Sequence, residues 1–174
     1  DIAMGVNKAL EAKENKMWLK RNKWEEISFI TLFLLKKMLF LQKKWEMLVN
    51  FTVKNFRSFK EERTFSMEAA SIKEHKESVI NRNKYKLLPV AVFYGANSSG
   101  KSNILISMLS MRSIVILDSE RKPGQSLPYD PFALDEKSKT QPTFFEIQFI
   151  YKGTLYRYGF EYNKVEIVSE WLYE

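Results

Sequence analysis

Cysteine is absent from the 174 residues of this chain, and histidine occurs once. Without thiols there is no disulfide framework, no thiolate metal site and no cysteine nucleophile, and we expect a protein of the reducing cytoplasm. The single histidine, His75, lies in a charged stretch without other ligand residues beside it. One histidine alone does not form a metal site, so we interpret His75 as a solvated surface residue.

A hydrophobic run long enough to cross a bilayer is also lacking. The uncharged run over residues 27–35 has nine residues, whereas a membrane-spanning helix needs about twenty, and we predict no transmembrane segment. Residues 1–46 are rich in lysine and tryptophan, which is typical of a basic amphipathic helix. This helical extension could pack on the domain, on a partner or at a membrane surface. It could equally lie outside the fold, with Met47 as the natural start.

The net charge of +7 lies mostly in the first quarter of the chain. Basic residues further along are interspersed with acidic ones and form no long stripe. This charge is compatible with contact to DNA, but the interspersed basic and acidic residues favour an ordinary solvated surface.

A complete phosphate-loop motif, G-x-x-x-x-G-K-S, occupies residues 95–102. Its glycines let the backbone curl so that successive N–H groups point inward and form an anion-binding nest at the start of a helix. Lys101 is placed to reach the β and γ phosphates of ATP as the catalytic cation, and the Ser102 hydroxyl to ligate Mg²⁺. The predicted nucleotide site consists of Gly95, Ala96, Asn97, Ser98, Ser99, Gly100, Lys101 and Ser102.

The residues around this loop have the pattern that a phosphate loop requires. Residues 87–94 form an almost unbroken apolar run, which predicts a strand covered on both faces in an α/β sheet. After the loop, apolar residues recur at spacings of one, three and four, which predicts a helix beginning near Gly100. Strand, glycine loop and helix in this order favour a nucleotide-binding α/β fold.

The chain before this unit is predicted to begin with a β-hairpin. Apolar and polar residues alternate over residues 49–53, which indicates a half-buried strand. Charged residues 60–63 then predict a turn, and residues 64–67 a returning strand. Residues 71–86 are polar and without periodicity, so we expect a loop or a short exposed helix.

The chain after the predicted helix favours a β-meander. Residues 120–141 contain several prolines and predict a long irregular connection. Strands are predicted over residues 143–151, 154–162 and 164–173, the first two joined by the tight turn Lys152-Gly153. The tyrosines of these strands fit a base-stacking platform for nucleic acid or, more commonly, ordinary β-forming side chains.

Several segments together resemble a known class of ATPases. They are Asn55-Phe56-Arg57-Ser58-Phe59, the phosphate loop with Asn103, Pro131-Phe132, Tyr156-Arg157-Tyr158-Gly159-Phe160 and Val168 to Glu174. In this order they are similar to the amino-terminal half of prokaryotic AAA-annotated ATPases of the abortive-infection type, within the ABC, SMC, RecF and OLD class. The resemblance covers residues 47–174. It implies an α/β P-loop NTPase fold, with an ABC-ATPase-like lobe and an antiparallel β-subdomain.

The resemblance also implies cofactors, partners and a setting. The cofactors are ATP and Mg²⁺, with the ATP hydrolysed once a second half of the domain is present. The partner is a second copy of the chain, as a homodimer, or an effector protein, and the setting is an anti-phage or abortive-infection system. One alternative is a DNA-binding ATPase module of a repair or chromosome-maintenance protein. Another is a vestigial product whose front segment only aggregates or meets membranes.

The resemblance adds two residues to the predicted site. Arg57 matches a position that lies near the nucleotide in such ATPases, although its alternative is a surface ion pair with Glu61 or Glu62. Asn103 follows the loop serine, and in RecF-like and SMC-like loops this position more often supports loop packing than contacts nucleotide.

One part of the expected site has no counterpart in the sequence. After Lys101 no apolar strand ends in the acidic residues that would complete a magnesium site and orient the attacking water. The resemblance places these residues in a second half, so we expect the chain to be a fragment or truncated product. Such a chain should bind ATP but hydrolyse it slowly or not at all.

Overall fold

The computed structural model describes residues 46–71, 76–82, 84–120 and 125–174. The predicted extension over residues 1–46 therefore lies outside the described residues, apart from Glu46, and the predicted boundary at Met47 stays a prediction. Short 3₁₀ turns lie at Lys76–Ser78 and Ser138–Thr140. The other elements are β1 (Glu46–Lys54), β2 (Arg63–Ser66), β3 (Ile80–Arg82), β4 (Tyr85–Leu87), α1 (Lys101–Glu120), β5 (Thr143–Tyr151), β6 (Thr154–Tyr162) and β7 (Ile167–Tyr173).

Five of the strands form one antiparallel sheet in the order β2-β1-β5-β6-β7. β1 lies between β2 and β5, with Phe51 opposite Phe65 on one side and Ile147 on the other. β5 and β6 pair along their whole length around the turn Lys152-Gly153, where both residues have a positive φ. The predicted three-stranded meander and the pairing of the first two strands are confirmed. The turn of the first hairpin was predicted at residues 60–63, but β1 already ends at Lys54 and Arg63 already belongs to β2.

The helix α1 covers one face of this sheet, as the core contacts show. Because side chains alternate across a strand, the apolar residues at every second position of β1 and β5 share that face. Burial of each such side chain contributes about 1.5–3 kcal/mol, so this core fixes α1 and the loop that precedes it. The main members of the core are Phe51, Val53, Ile104, Met111, Ile114, Phe145, Ile147, Phe149 and Phe160.

The tyrosines of β6 belong to this core. Tyr158 and Tyr162 are buried, and Tyr156 packs against the same cluster. Burial raises the pKa of the Tyr162 hydroxyl above its ordinary value. These tyrosines are therefore sheet-forming core residues and are not available as a base-stacking platform.

The prediction for residues 71–86 is wrong in part. The segment contains a 3₁₀ turn, but it also contains β3 and the first two residues of β4. These two strands pair as an antiparallel hairpin. This hairpin closes a second, smaller core in which Leu87 packs with Met47, Val49 and Ile150. Strands of three residues are too short to show a periodicity, and tertiary packing onto the sheet decides their conformation.

The prediction of a buried strand over residues 87–94 is also wrong. Only Leu87 belongs to a strand, and residues 88–94 have no regular structure. Val90 is 69% exposed and Tyr94 is 89% exposed, while Phe93 contacts the ring of Phe65. Strands covered on both faces are typical of parallel sheets, whereas every strand pair among the described residues is antiparallel. An apolar run in the sequence does not show whether another element of the fold covers it.

Candidate phosphate-binding site

The phosphate loop lies between the exposed segment 88–94 and the first turn of α1, as the motif predicted for the loop and the helix. Gly95, Ser98 and Gly100 have φ values of 157°, 63° and 86°. The values at Gly95 and Gly100 are ones that side chains disfavour, which explains glycine at those positions. The loop lines an open cavity of about 340 Å³ together with the first turn of the helix.

Backbone N–H groups of the loop are available for a ligand. Among the described residues, no protein acceptor takes the N–H groups of Ser98, Gly100, Lys101 or Ser102. These groups lie at the N-terminus of α1, where unsatisfied donors and the helix dipole favour an anion. The arrangement fits the phosphates of a nucleotide.

The Lys101 ammonium lies inside the curl of the loop. Its Nζ donates hydrogen bonds to the carbonyl oxygens of Gly95, at 2.9 Å, and Ala96, at 2.6 Å. These two bonds draw the lysine back across the loop from the start of the helix. A phosphate in the curl would therefore meet a positive charge already in place.

Ser102 is exposed on the first turn of α1. Its hydroxyl is suited to Mg²⁺, which prefers oxygen ligands and is usually held by one or two protein groups plus phosphate oxygens. No three histidine or acidic side chains cluster in a way that could hold a metal ion in the part of the chain described here. A magnesium ion at Ser102 would therefore depend on the oxygens of the nucleotide.

The loop rests against the turn formed by Asn55–Lys60. Asn103 Nδ2 donates a hydrogen bond to Ser58 Oγ at 2.8 Å. A Cβ at Gly100 would come within 2.8 Å of the same Ser58 oxygen. In this structure the Asn103 side chain supports loop packing.

Arg57 lies in the same turn as Ser58. Its Nε donates to Asp130 Oδ2 at 2.7 Å, and its backbone N–H donates to the Asp130 carbonyl oxygen. The alternative, an ion pair of Arg57 with Glu61 or Glu62, is therefore wrong, because the carboxylate that pairs with Arg57 is that of Asp130. Because the turn contacts the loop through Ser58, Arg57 is next to the site, and its contact with nucleotide stays a prediction.

Carboxylates near the turn are engaged with protein partners. Asp130 pairs with Arg57, and Asp135 accepts hydrogen bonds from the backbone and side chain of Ser138. These bonds, reinforced by nearby Lys60, hold the pKa of Asp135 below its ordinary value. Both carboxylates are therefore occupied in stabilising the turn and the chain that follows α1.

Glu146 is the most buried carboxylate of the central strands, and it is directed away from the loop. It accepts hydrogen bonds from Arg157 Nε, at 2.8 Å, and from Trp171 Nε1, at 3.0 Å. It alternates along β5 with Phe145 and Ile147, which face α1, so it lies on the opposite face of the sheet. Its position therefore does not suit a catalytic acid at the loop.

Two residues of this region were not identified from the sequence as part of the site. Asn55 is buried, and its side-chain amide contacts the chain more than 80 residues away, at Ser138 and Gln141. Ser58 supplies the contact with Asn103. The only sequence signal was their place in the Asn-Phe-Arg-Ser-Phe segment, since contacts across such distances leave no local pattern.

A glycine loop with lysine and serine that opens a helix packed on a sheet defines the class of P-loop nucleotide-binding domains. Residues 90–174, just under half of the chain, match the family model described as "AAA domain, putative AbiEii toxin, Type IV TA system". This match supports the resemblance inferred from the motifs over residues 90–174, which are similar to an AAA-annotated, abortive-infection-type ATPase segment. The resemblance over residues 47–89 and the placement in the ABC, SMC, RecF and OLD class stay predictions. Comparison with curated proteins and with solved structures gave no match.

The matched segment contains the phosphate loop, α1 and the meander β5–β7. Within the described ranges, no helix has both the length and the apolar character needed to cross a membrane.

Proposed function

We propose that the loop formed by residues 95–102 binds ATP with Mg²⁺. The observation that carries this proposal is the set of N–H groups of Ser98, Gly100, Lys101 and Ser102, which have no protein acceptor among the described residues and lie at the N-terminus of α1. The Lys101 ammonium lies inside the same curl. An anion nest, a helix N-terminus and a neighbouring cation together provide what a di- or triphosphate requires.

Each group has a distinct task in this proposal. The loop N–H groups hold phosphate oxygens, and Lys101 exchanges its bonds to Gly95 and Ala96 for bonds to the β and γ phosphates. Ser102 provides a hydroxyl ligand to Mg²⁺, which neutralises the charge shared by those phosphates. The ion would stabilise the negative charge of the phosphates when bound, and the loop would fix the position of those phosphates.

We further propose that the chain works as part of an ABC- or RecF-like ATPase of an anti-phage or abortive-infection system. The match of residues 90–174 to an abortive-infection family supports this setting. Val90, Val92 and Tyr94 are apolar and exposed beside the loop. We propose that further strands or a second copy of the chain pack on them. A DNA-binding role has less support, because the tyrosines of β6 lie in the core.

Hydrolysis by this chain alone should be slow. Asp130, Asp135 and Glu146 are engaged with protein partners and so are not placed to orient water at the loop. Lys101 and Ser102 would then stabilise bound ATP and the transition state alike, which does not raise turnover. At saturating Mg·ATP, we expect phosphate release near background. A turnover of about 1 s⁻¹ or more, within the usual enzyme range and abolished by Lys101→Ala, would contradict this.

Calorimetric titration of the purified full chain with Mg·ATP tests the binding proposal. Lys101→Ala removes a charge-assisted contact, which should weaken binding about ten- to a hundredfold. Lys86→Ala, which removes an exposed lysine from β4, is the matched control and should bind like the wild type. Equal titration curves for the wild type and Lys101→Ala would overturn the proposal.

A further inference from the structure

The turn Asn55–Lys60 has an unusual backbone. Asn55 and Arg57 both lie in the left-handed region, with φ values of 50° and 49°. Residues other than glycine adopt this conformation at a cost, and asparagine tolerates it better than arginine. Strained residues persist only where the surroundings hold them, and they cluster at functional sites. The contacts that hold this turn therefore indicate its role.

The first part of the turn is anchored in the protein interior. Asn55 Nδ2 lies 2.8 Å from the Ser138 carbonyl oxygen and 2.7 Å from that of Gln141, and Asn55 Oδ1 accepts the N–H of Phe132. Phe56 is buried and packs edge-on against Phe145 of the core. These contacts fix the turn to the chain before β5, independently of the phosphate loop.

The second part of the turn meets the phosphate loop. Ser58 Oγ accepts the hydrogen bond from Asn103 Nδ2 at 2.8 Å, and a Cβ at Gly100 would lie 2.8 Å from the same oxygen, so a side chain there would displace the Ser58 hydroxyl. Gly100 and Asn103 bracket Lys101 and Ser102. The anchored turn is thus a support behind the two residues that would contact phosphate and metal.

We propose that Ser58 is a positioning residue of the nucleotide site, whose hydroxyl holds Asn103 and thereby fixes the first turn of α1 for ligand binding. This inference rests on the proposed ATP binding at the same loop. Ser58 itself is exposed, and its two contacts described here are both with the loop and α1. Its loss should therefore affect ligand affinity far more than stability.

A double-mutant cycle on the full chain tests the proposal. Ser58→Ala and Asn103→Ala each remove one partner of a hydrogen bond, and each should weaken Mg·ATP binding about three- to tenfold. The double variant should be no weaker than either single variant, because the two residues act through one bond. Ser58→Thr keeps the hydroxyl and should restore most of the affinity. Ser66→Ala, on exposed β2, is the control and should leave affinity unchanged.

A spectroscopic readout separates positioning from general stability. The amide resonances of Gly100 and Lys101 should shift on titration of the wild type with Mg·ATP, and they should shift less in Ser58→Ala at equal occupancy, with an unchanged melting temperature. Wild-type affinity retained in Ser58→Ala, additive losses in the double variant, or no recovery in Ser58→Thr would each overturn the role of Ser58. Absence of binding to the wild type would instead overturn the proposed function itself.

Discussion

The sheet and the segment from Val90 to Ser102 are held in place in different ways. In the sheet, Val53, Phe145 and Phe149 are completely buried, and every strand has a hydrogen-bonded neighbour. In the segment from Val90 to Ser102, apolar side chains are exposed and no strand forms among the residues described. That loop is held instead by α1 behind it and by the Asn55–Lys60 turn beside it.

This difference separates what stabilises the domain from what binds ligand. Large buried side chains and antiparallel pairing supply the stability of the sheet. The loop contributes little apolar burial, and its solvent-accessible N–H groups can exchange water for the oxygens of a bound phosphate. Substitutions in the sheet should therefore change unfolding, whereas substitutions in the loop should change affinity.

The largest effect should come from Gly159→Ala in β6. A Cβ there would lie 2.5 Å from Trp171 Cζ2 and 2.8 Å from the Phe145 carbonyl oxygen, so the ring and the neighbouring strand would both have to move. We expect a loss of about 3 kcal/mol in the free energy of unfolding, as for overpacked cores. Urea unfolding measures it, and the same unfolding midpoint as the wild type would show that the sheet yields easily.

The next effect should come from Gly100→Ala compared with Gly153→Ala. Both glycines have a positive φ, of 86° and 91°, so both substitutions strain the backbone by about 1–2 kcal/mol. Space around Gly153 is open, whereas Gly100 lies against Ser58. Calorimetric titration should show ATP affinity about tenfold or more lower in Gly100→Ala only. Similar ATP affinities in the two variants would contradict the idea that substitutions in the loop, and not those in the sheet, change ligand binding.

The smallest effect should come from the pair Arg57 and Asp130. This ion pair is largely exposed and worth at most about 1 kcal/mol. If Arg57 contacts nucleotide, Asp130→Asn should free it and raise ATP affinity about two- to fivefold, while Arg57→Ala should lower it by a similar factor. Equilibrium binding of a fluorescent ATP analogue can resolve both changes. A shift in the same direction in both variants would assign the pair a purely structural role.

Local patterns in the sequence predicted most of the sheet and the helix. Alternation around Phe51, the turn at Gly153 and the motif ending in Lys101 each depend on neighbouring residues, so they can be recognised without the fold. The exposure of residues 90–94 could not be predicted, because an apolar run in the sequence does not show whether another element packs on it. The role of Asn55 depends on carbonyl groups more than 80 residues away. Ser58 likewise acts only through the folded turn.

Thermal unfolding of the wild type with ATP, ADP and AMP tests most directly whether the loop recognises phosphate. A ligand at a hundred times its dissociation constant stabilises the folded state by about 2.7 kcal/mol. With Mg²⁺ present, ATP and ADP should raise the melting temperature of the wild type and leave that of Lys101→Ala much less changed. AMP, which lacks the β phosphate, should have little effect on either protein. Equal stabilisation by all three nucleotides, or none by ATP, would contradict binding through the Gly95–Ser102 loop.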